Sequence, residues 1–308
     1  MGGIDTLAGI VGALVVFSSP GHGARCWPWA FERTHPQCCN LTVSNIGEPS
    51  CWVDGRDFGL CCVSHWYEEL QLRFRNDEYL RLNSGRLEHL ASLNLELFNQ
   101  SVLEVGAGIG DLSSFFLDRG CKMTITDGRP KNVAILGDRF SQQTVRVLDM
   151  DDVRVLKGPS PFPELFDVVF CYGLLYHLRH VEDALMFLKQ QVRGFLLLET
   201  AVDFERPNRP ARTGEREDSS NPTRALHGWI RPFGHKWLFN KLKSLFPHVY
   251  VAQRQPSHGT FPVDWTAAHH PGSRVILIAS KIRLDNANLY EGLLERHTGH
   301  LVPRVKGS

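Results

Sequence analysis

Apolar and polar positions change their spacing once along the chain. Between residues 66 and 99, Tyr79, Leu82, Leu87, Leu90, Leu93, Leu95 and Phe98 recur near helical spacing. Side chains three and four apart share one helix face, so this stretch predicts helix. From Ser101 short apolar runs alternate with helical segments. Strands are expected at Ser101–Val105, Lys122–Thr126, Val145–Leu148, Phe166–Cys171 and Gly194–Glu199, with two later ones at His248–Gln253 and Arg274–Ser280. Helices fall between them, as at Asp111–Arg119, Val181–Gln191 and His235–Phe246, the last closed by Pro247. Strands alternating with helices predict a three-layer, doubly wound α/β fold around a mainly parallel sheet. Residues 203–221, rich in Arg, Pro, Glu and Ser, read as a long surface loop, and long loops in compact domains are often lids.

The first 65 residues follow neither pattern. Leu7–Phe17 is an apolar run of signal-peptide length followed by small residues, too short to cross a bilayer comfortably. Asp5 precedes it without a Lys or Arg, and no Ala-x-Ala pattern follows. Residues 1–24 are expected to be a targeting segment, and no stable membrane span is expected after it. Six of the eight cysteines, Cys26, Cys38, Cys39, Cys51, Cys61 and Cys62, cluster in an expected module at 25–65. Such density suggests disulfides in an oxidising compartment, with too many pairings for the sequence to choose among them. Asn40-Leu-Thr42 and Asn99-Gln-Ser101 are glycosylation sequons. Together these features point to the secretory lumen or a secreted protein. The alternative is a cytoplasmic protein with a reduced or metal-binding segment; against zinc, the cysteines lack Cys-x-x-Cys spacing, and vicinal pairs chelate poorly. The main domain is expected at 66–285, with 286–308 as a C-terminal tail.

Charge narrows the choice of partner. Lys and Arg number 34 against 33 Asp and Glu, a formal net charge of +1, and the two signs are interleaved. Nucleic-acid binders normally show a basic stripe, so a small-molecule partner is expected and no nucleic acid. His269 and His270 lack nearby carboxylates apart from Asp264, so no metal site is expected.

The chemistry is concentrated in Val102-Leu-Glu-Val-Gly106-Ala-Gly108-Ile-Gly110-Asp-Leu, a strand running into a glycine turn and then a helix. Glycine lets the backbone turn tightly and approach a ligand where a Cβ would clash. The dinucleotide fingerprint Gly-x-Gly-x-x-Gly would need its third glycine at Asp111. A ligand without phosphates tolerates an acid there. Asp127 lies about 20 residues on, at the end of the second strand, where a carboxylate can accept bonds from both ribose hydroxyls. Asp149 ends the third strand, where an acid can accept a bond from an adenine amino group. All three positions are at carboxyl ends of strands, where doubly wound folds bind ligands.

Glu104-Val-Gly106-Ala-Gly108-Ile-Gly110, Asp127, Leu148-Asp149-Met150 and Phe166-Asp-Val-Val-Phe-Cys-Tyr-Gly-Leu-Leu-Tyr-His177 together resemble the class I S-adenosylmethionine-dependent methyltransferases, over roughly residues 86–200. The resemblance implies a seven-stranded Rossmann-like sheet, S-adenosylmethionine as cofactor and methyl transfer as activity. It implies that Gly106, Ala107, Gly108 and Gly110 cradle the methionine end, with Glu104 acting through bridging groups. It further implies Asp127 with Gly128 at the ribose, Asp149 and Met150 at the adenine, and Tyr172 lining the sulfonium pocket.

A sulfonium methyl is already activated, so the protein must align an acceptor and, for a hydroxyl, remove its proton. His177 is the candidate base, with a packing role as the alternative. Tyr176 could line the acceptor pocket and Glu199 could orient the acceptor. His227 and Trp229 are further candidate contacts. Cys121 and Cys171 read as buried small hydrophobes. Two other functions compete: a nicotinamide-dependent oxidoreductase, against which the glycine spacing counts, and a non-catalytic lumenal binding protein that keeps the fold.

Overall fold

The computed structural model describes Cys38, Cys39, Cys51, Cys62 and residues 64–301 apart from 212–213, 232, 268 and 270–271. The chain divides into two units, Met1–Cys62 and Val63–Ser308. In the first, Cys38 pairs with Cys51 and Cys39 with Cys62. The expected targeting segment, Cys26, Cys61 and the Asn40 sequon lie outside the described residues.

The second unit opens with helices α1 (Ser64–Phe74) and α2 (Asp77–Ser92). The single helical stretch expected at 66–99 is therefore two helices. The break comes at Asn76, whose side chain accepts the Tyr79 N–H and caps α2, with Asp77 and Glu78 in the first turn. Asparagine caps a helix better than it continues one, because its amide oxygen competes for backbone donors.

The sheet follows: β1 (Ser101–Val105), β2 (Lys122–Asp127), β3 (Thr144–Val147), β4 (Phe166–Tyr172), β5 (Val192–Ala201), β8 (His248–Ala252), β9 (Arg274–Ser280) and β10 (Leu289–Glu291). Between β5 and β8 a two-stranded hairpin, β6 (Glu215–Arg216) and β7 (Trp229–Ile230), stands apart. The crossovers carry α3 (Ser113–Leu117), α4 (Pro130–Arg139), α5 (Val153–Lys157), α6 (Val181–Gln191) and α7 (His235–Leu245), with a 3-10 turn at Leu175–His177. Strand order is β10-β8-β9-β5-β4-β1-β2-β3; the strands from β5 to β3 pair in parallel, and β9, β8 and β10 are antiparallel. The chain winds outward in opposite directions from β1 and β4, and the crevice at their carboxyl ends is where such a sheet binds ligands.

Alternation within the central strands builds both outer layers. Leu103, Val105, Val169, Cys171, Leu196 and Leu198 pack on one face with Leu156, Leu185, Leu238 and Leu242 from α5, α6 and α7. Val102, Val168, Phe170 and Leu197 pack on the other with Leu82, Leu90, Phe116 and Leu136 from α2, α3 and α4. Successive side chains point to opposite faces, so strands covered on both sides read as unbroken apolar runs. Each fully buried large side chain contributes roughly 1.5–3 kcal/mol.

Three expectations are revised. The helix expected at Asp111–Arg119 is confined to Ser113–Leu117, because the Asp111 carboxylate is held by Arg75 and Arg139 beside the glycine turn. The stretch expected as a tail carries β10, an eighth strand that pairs with β8, while the Thr298 N–H donates to the Gln253 carbonyl at 2.9 Å. Its last residues, 302–308, lie outside the described ones. The expected lid loop at 203–221 includes β6, which pairs with β7.

Candidate active site

The site is built at the turn after β1. Gly106, Gly108 and Gly110 have φ of 77°, 60° and 82°, a region that costs little only for glycine. A Cβ on Gly108 would lie 2.8 Å from the Phe74 ring, and one on Gly110 would lie 2.4 Å from Phe140. The Gly106 and Ala107 N–H groups donate to the Thr126 carbonyl at 2.9 and 3.0 Å, fastening the turn to β2.

Asp127 ends β2 and is 8% exposed. Its Oδ2 accepts the Gly108 N–H at 2.9 Å; its Oδ1 accepts the Arg129 N–H at 2.8 Å and the Asn132 amide at 3.1 Å. Burial pushes its carboxyl up, and those three donors partly offset the shift. Glu104, 3% exposed on β1, accepts the Ser113 hydroxyl at 2.5 Å. Burial, reinforced by Asp127, raises its carboxyl to about 7 against the pull of Ser113. A cationic ligand would favour the ionised form of both acids.

Beyond β3, Asp149 Oδ2 lies 2.8 Å from His227 Nε2, so the segment before β7 reaches back over the expected adenine end. Leu226 closes on Gly128, where a Cβ would meet its Cδ2 at 2.9 Å. The Arg129 guanidinium donates to the Asn221 and Arg224 carbonyls at 3.3 and 3.1 Å. Met150 and Asp151 are buried beside Asp149; Asp151 accepts the Arg179 and His180 N–H groups.

At the end of β4, Tyr172 is 5% exposed and its hydroxyl has no hydrogen-bond partner. The 3-10 turn that follows carries Tyr176 and His177. His177 is 8% exposed, and its Nδ1 lies 3.0 Å from Glu217 Oε2, in contact but without hydrogen-bond alignment. Burial lowers the His177 pKa, and Glu217 partly opposes that. Glu217 also accepts the Ala225 N–H at 2.8 Å and Arg224 Nη1 at 2.9 Å. Burial alone would raise its carboxyl; His177, Ala225 and Arg224 hold it at about 2.

One pocket is lined by Glu104, Gly106, Ala107, Gly108, Asp127, Gly128, Asp149, Met150, Tyr172, Tyr176 and His177, together with Arg86, Thr223, Arg224 and Arg274. The structure thus brings all but three of the expected site residues, Gly110, Glu199 and Trp229, to the lining of one pocket. Gly110 is turned instead toward Phe140 and Leu136. Glu199 sits behind the pocket, fully buried, with Oε2 on Arg86 Nη2 at 2.6 Å and Oε1 on Arg274 Nη1 at 2.9 Å. Trp229 lies on β7 beneath the Arg216 guanidinium, and His227 reaches the pocket. Cys121 and Cys171 are free and buried, and burial pushes the Cys171 thiol up to about 12. Among the described residues no group of His, Cys, Asp and Glu could hold a metal, and no helix is long and apolar enough to cross a membrane.

Glu217, Arg86 and Arg274 went unrecognised in the sequence. Glu217 lay within an apparent loop, Arg86 was a lone charge on the helix face shared by Leu82 and Leu90, and Arg274 stood at a strand start. Only the fold brings them together.

Residues 103–193 match the methyltransferase domain family. The chain carries a methyltransferase domain of the S-adenosylmethionine-dependent class. The cofactor of this domain class is S-adenosylmethionine, and the glycine turn, Asp127 and Asp149 line one pocket. The chain is similar to the tRNA U34 carboxymethyltransferase of Photobacterium profundum, 36% identical over 123 residues, which are 38% of this chain and 35% of that protein. It is also similar to the mitochondrial ubiquinone biosynthesis O-methyltransferase of Schizosaccharomyces pombe, 27% identical over 124 residues, 39% of this chain and 45% of that one. The chain therefore spans less than half the length of these curated relatives. Among solved structures it is similar to the N-terminal domain of EvdMO1 in the presence of S-adenosylhomocysteine and D-fucose, with TM-score 0.48, 18% identity and 67% and 84% of the two chains covered. It is also similar to the N-methyltransferase NodS of Bradyrhizobium japonicum in complex with S-adenosylhomocysteine, with TM-score 0.43, 17% identity and 70% and 97% covered.

Proposed function

We propose that this chain transfers the methyl group of S-adenosylmethionine to a small-molecule acceptor held between the 3-10 turn and the β6–β7 hairpin. One observation carries the reading: the glycine turn, Asp127, Asp149 and the His177–Glu217 contact line a single pocket at the switch point of the sheet. When bound, the cofactor supplies an activated methyl on a cationic sulfonium. Asp127 and Glu104 favour that charge, and the three donors on Asp127 fix its oxygens for the ribose. Tyr172 and Leu174 line the same pocket, Leu174 beside Gly106, and in this reading would face the methyl-bearing end. Thr223, Arg224, Leu226 and His227, from the segment between β6 and β7, line the same pocket.

In this reading His177 is the base for a hydroxyl acceptor. Burial keeps its imidazole neutral near pH 7, so a ring nitrogen can take a proton, and Glu217 stabilises the imidazolium that results. Tyr176 lines the acceptor side, and Glu199 acts through the two arginines it holds. The disulfides of the first unit and the sequons support a lumenal or secreted location for this activity.

Calorimetry with S-adenosylmethionine, S-adenosylhomocysteine and NAD tests the cofactor, and transfer of labelled methyl from S-adenosylmethionine into extract fractions tests the activity. Binding of S-adenosylhomocysteine without binding of NAD is expected. NAD binding alone would overturn the reading.

A further inference from the structure

Asp151 places a buried carboxylate in the pocket wall. It is 4% exposed and lines the pocket just past the end of β3. Its Oδ1 accepts the Arg179 N–H at 2.7 Å and the His180 N–H at 3.1 Å, and its Oδ2 lies 3.5 Å from Arg179 Nε. A carboxylate loses its hydration on burial and is tolerated only where donors replace that water. Here the donors are two consecutive backbone amides, and they follow directly on the 3-10 turn at Leu175–His177. The turn closes on itself: the His177 N–H donates to the Leu174 carbonyl at 2.9 Å and the Leu178 N–H to the Leu175 carbonyl at 3.2 Å. A hold on Arg179 and His180 is therefore a hold on the turn.

Asp151 also closes a ring of contacts around the pocket. Its N–H donates to Asp149 Oδ1 at 2.9 Å, and Asp149 Oδ2 lies 2.8 Å from His227 Nε2. Just before His227, the Ala225 N–H donates to Glu217 Oε2 at 2.8 Å. The same oxygen lies 3.0 Å from His177 Nδ1. Just after His177, Arg179 returns the ring to Asp151. Three segments are joined in this way: the exit from β3, the 3-10 turn, and the stretch between β6 and β7. Asp151 also stands where a helix N-terminus favours an anion, since His180 is the N-cap of α6 and its own side chain makes no cap bond. That contribution is to stability alone, and the ionisation of His177 does not depend on it.

We propose that Asp151 is a positioning residue for His177, fixing the 3-10 turn against the exit from β3. The catalytic use of that position rests on the methyl-transfer reading, while the anchoring itself does not. A misplacement of about 1 Å at a reacting group can lower a rate by roughly 10². His177 is placed from two sides: Glu217 meets its ring, and Asp151 holds the backbone that follows it. Around the ring stand the Tyr176 ring, with centroids 3.9 Å apart, the Glu217 carboxylate, and the positive charges of Arg274 and Arg224. Burial is the largest influence on the His177 pKa and lowers it. A freed turn exposes the ring, so its pKa rises toward the ordinary value of about 6.5. Loss of the Asp151 charge without movement acts the other way, because a nearby anion favours the imidazolium. The two effects differ in sign.

NMR titration of the full chain with labelled histidine tests this, the His177 signal being identified by its loss in His177→Gln. In Asp151→Ala the His177 midpoint should rise toward about 6.5. Asp151→Asn keeps an acceptor oxygen for the Arg179 and His180 amides, so there the midpoint should stay at the wild-type value. Asp151→Glu keeps the charge but pushes the carboxylate out by a methylene. It should raise the midpoint as well, and it decides the question should Asp151→Ala fold poorly. A wild-type midpoint in folded Asp151→Ala, or in Asp151→Glu where the alanine variant does not fold, overturns the proposal. A shift of the same size and sign in Asp151→Ala and Asp151→Asn also overturns it, because that marks loss of charge rather than loss of an acceptor. Calorimetry with S-adenosylhomocysteine on wild type is read separately: no binding overturns the methyl-transfer reading, and the titration still decides the anchoring.

Discussion

Glu217 Oε2 lies 3.0 Å from His177 Nδ1, and the two residues come from different parts of the chain: a 3-10 turn after β4 and the stem of the β6–β7 hairpin. A carboxylate there favours the imidazolium that forms when the opposite nitrogen takes a proton. Base strength at His177 is therefore coupled to the position of Glu217.

That coupling predicts a pH profile for a hydroxyl acceptor. His177 has its pKa lowered by burial, with Glu217 raising it in part. Turnover should rise with pH through an apparent pKa below 6.5, the ordinary histidine value, and level off near neutrality. Glu217→Gln removes the raising partner, so the limb should move to lower pH while the plateau falls. His177→Ala should lower turnover by roughly 10²–10⁴ and leave S-adenosylhomocysteine affinity nearly intact. A limb that stays in place in Glu217→Gln, with near-normal turnover in His177→Ala, would assign both residues to packing.

Asp127 yields a second prediction. Its carboxylate organises Gly108, Arg129 and Asn132 as well as facing the pocket. Asp127→Ala should weaken S-adenosylhomocysteine at least tenfold, since each charge-assisted bond to a ribose hydroxyl is worth about 1.5–3 kcal/mol. Asp127→Asn keeps the shape and one acceptor oxygen, so its loss should be smaller. Calorimetry on folded variants checks this; equal affinity in Asp127→Ala and wild type would remove Asp127 from the ribose.

How far the sequence carried these assignments depends on where their causes lie. Local chemistry made β1, the glycine turn and β2 legible. The positive φ values at Gly106, Gly108 and Gly110 are demands of a tight turn, and an apolar run ending in Asp127 is a strand whose end faces a ligand. The break at Asn76 was legible in principle as a capping signal, but the periodicity around it hid the cap. β10 was not legible, because Leu289–Glu291 is too short to declare a strand without β8 beside it. Glu199 shows the limit most clearly. Its position at a strand end was readable, but its burial between Arg86 and Arg274 depends on contacts 113 and 75 residues away in sequence.

The first unit yields a prediction about oxidation state. Peptide mapping of protein from a secretory host should recover the Cys38–Cys51 and Cys39–Cys62 links. Cys121 and Cys171 should appear as free thiols, since both are buried. Removing either link should cost about 2–4 kcal/mol of the first unit's stability. Recovery of all eight cysteines reduced would overturn both the links and the lumenal location.

His89 supplies a test of the fold that is independent of catalysis. It lies on α2, 0% exposed, with Nε2 3.0 Å from the Arg254 carbonyl, so Nε2 carries the proton and the ring is neutral. Burial lowers its pKa to about 4; the Arg254 carbonyl opposes that and His297 adds to it. The unfolded chain binds this proton near pH 6.5 and the folded protein only near pH 4, so the unfolded state holds more protons throughout that interval. Stability should therefore be fully present above pH 6.5 and fall as pH drops toward 4, by about 1.4 kcal/mol per pH unit for this one group. Gln in place of His89 can still donate to the Arg254 carbonyl but does not titrate. His89→Gln should accordingly be less stable than wild type at pH 7.5, where packing is lost, and should close that gap steadily as pH falls. Urea unfolding at several pH values between 7.5 and 4.5 measures the difference directly, and other titrating groups cancel in it. A gap that stays constant with pH would mean that His89 is protonated in the native state, and that the Arg254 contact is made by an imidazolium.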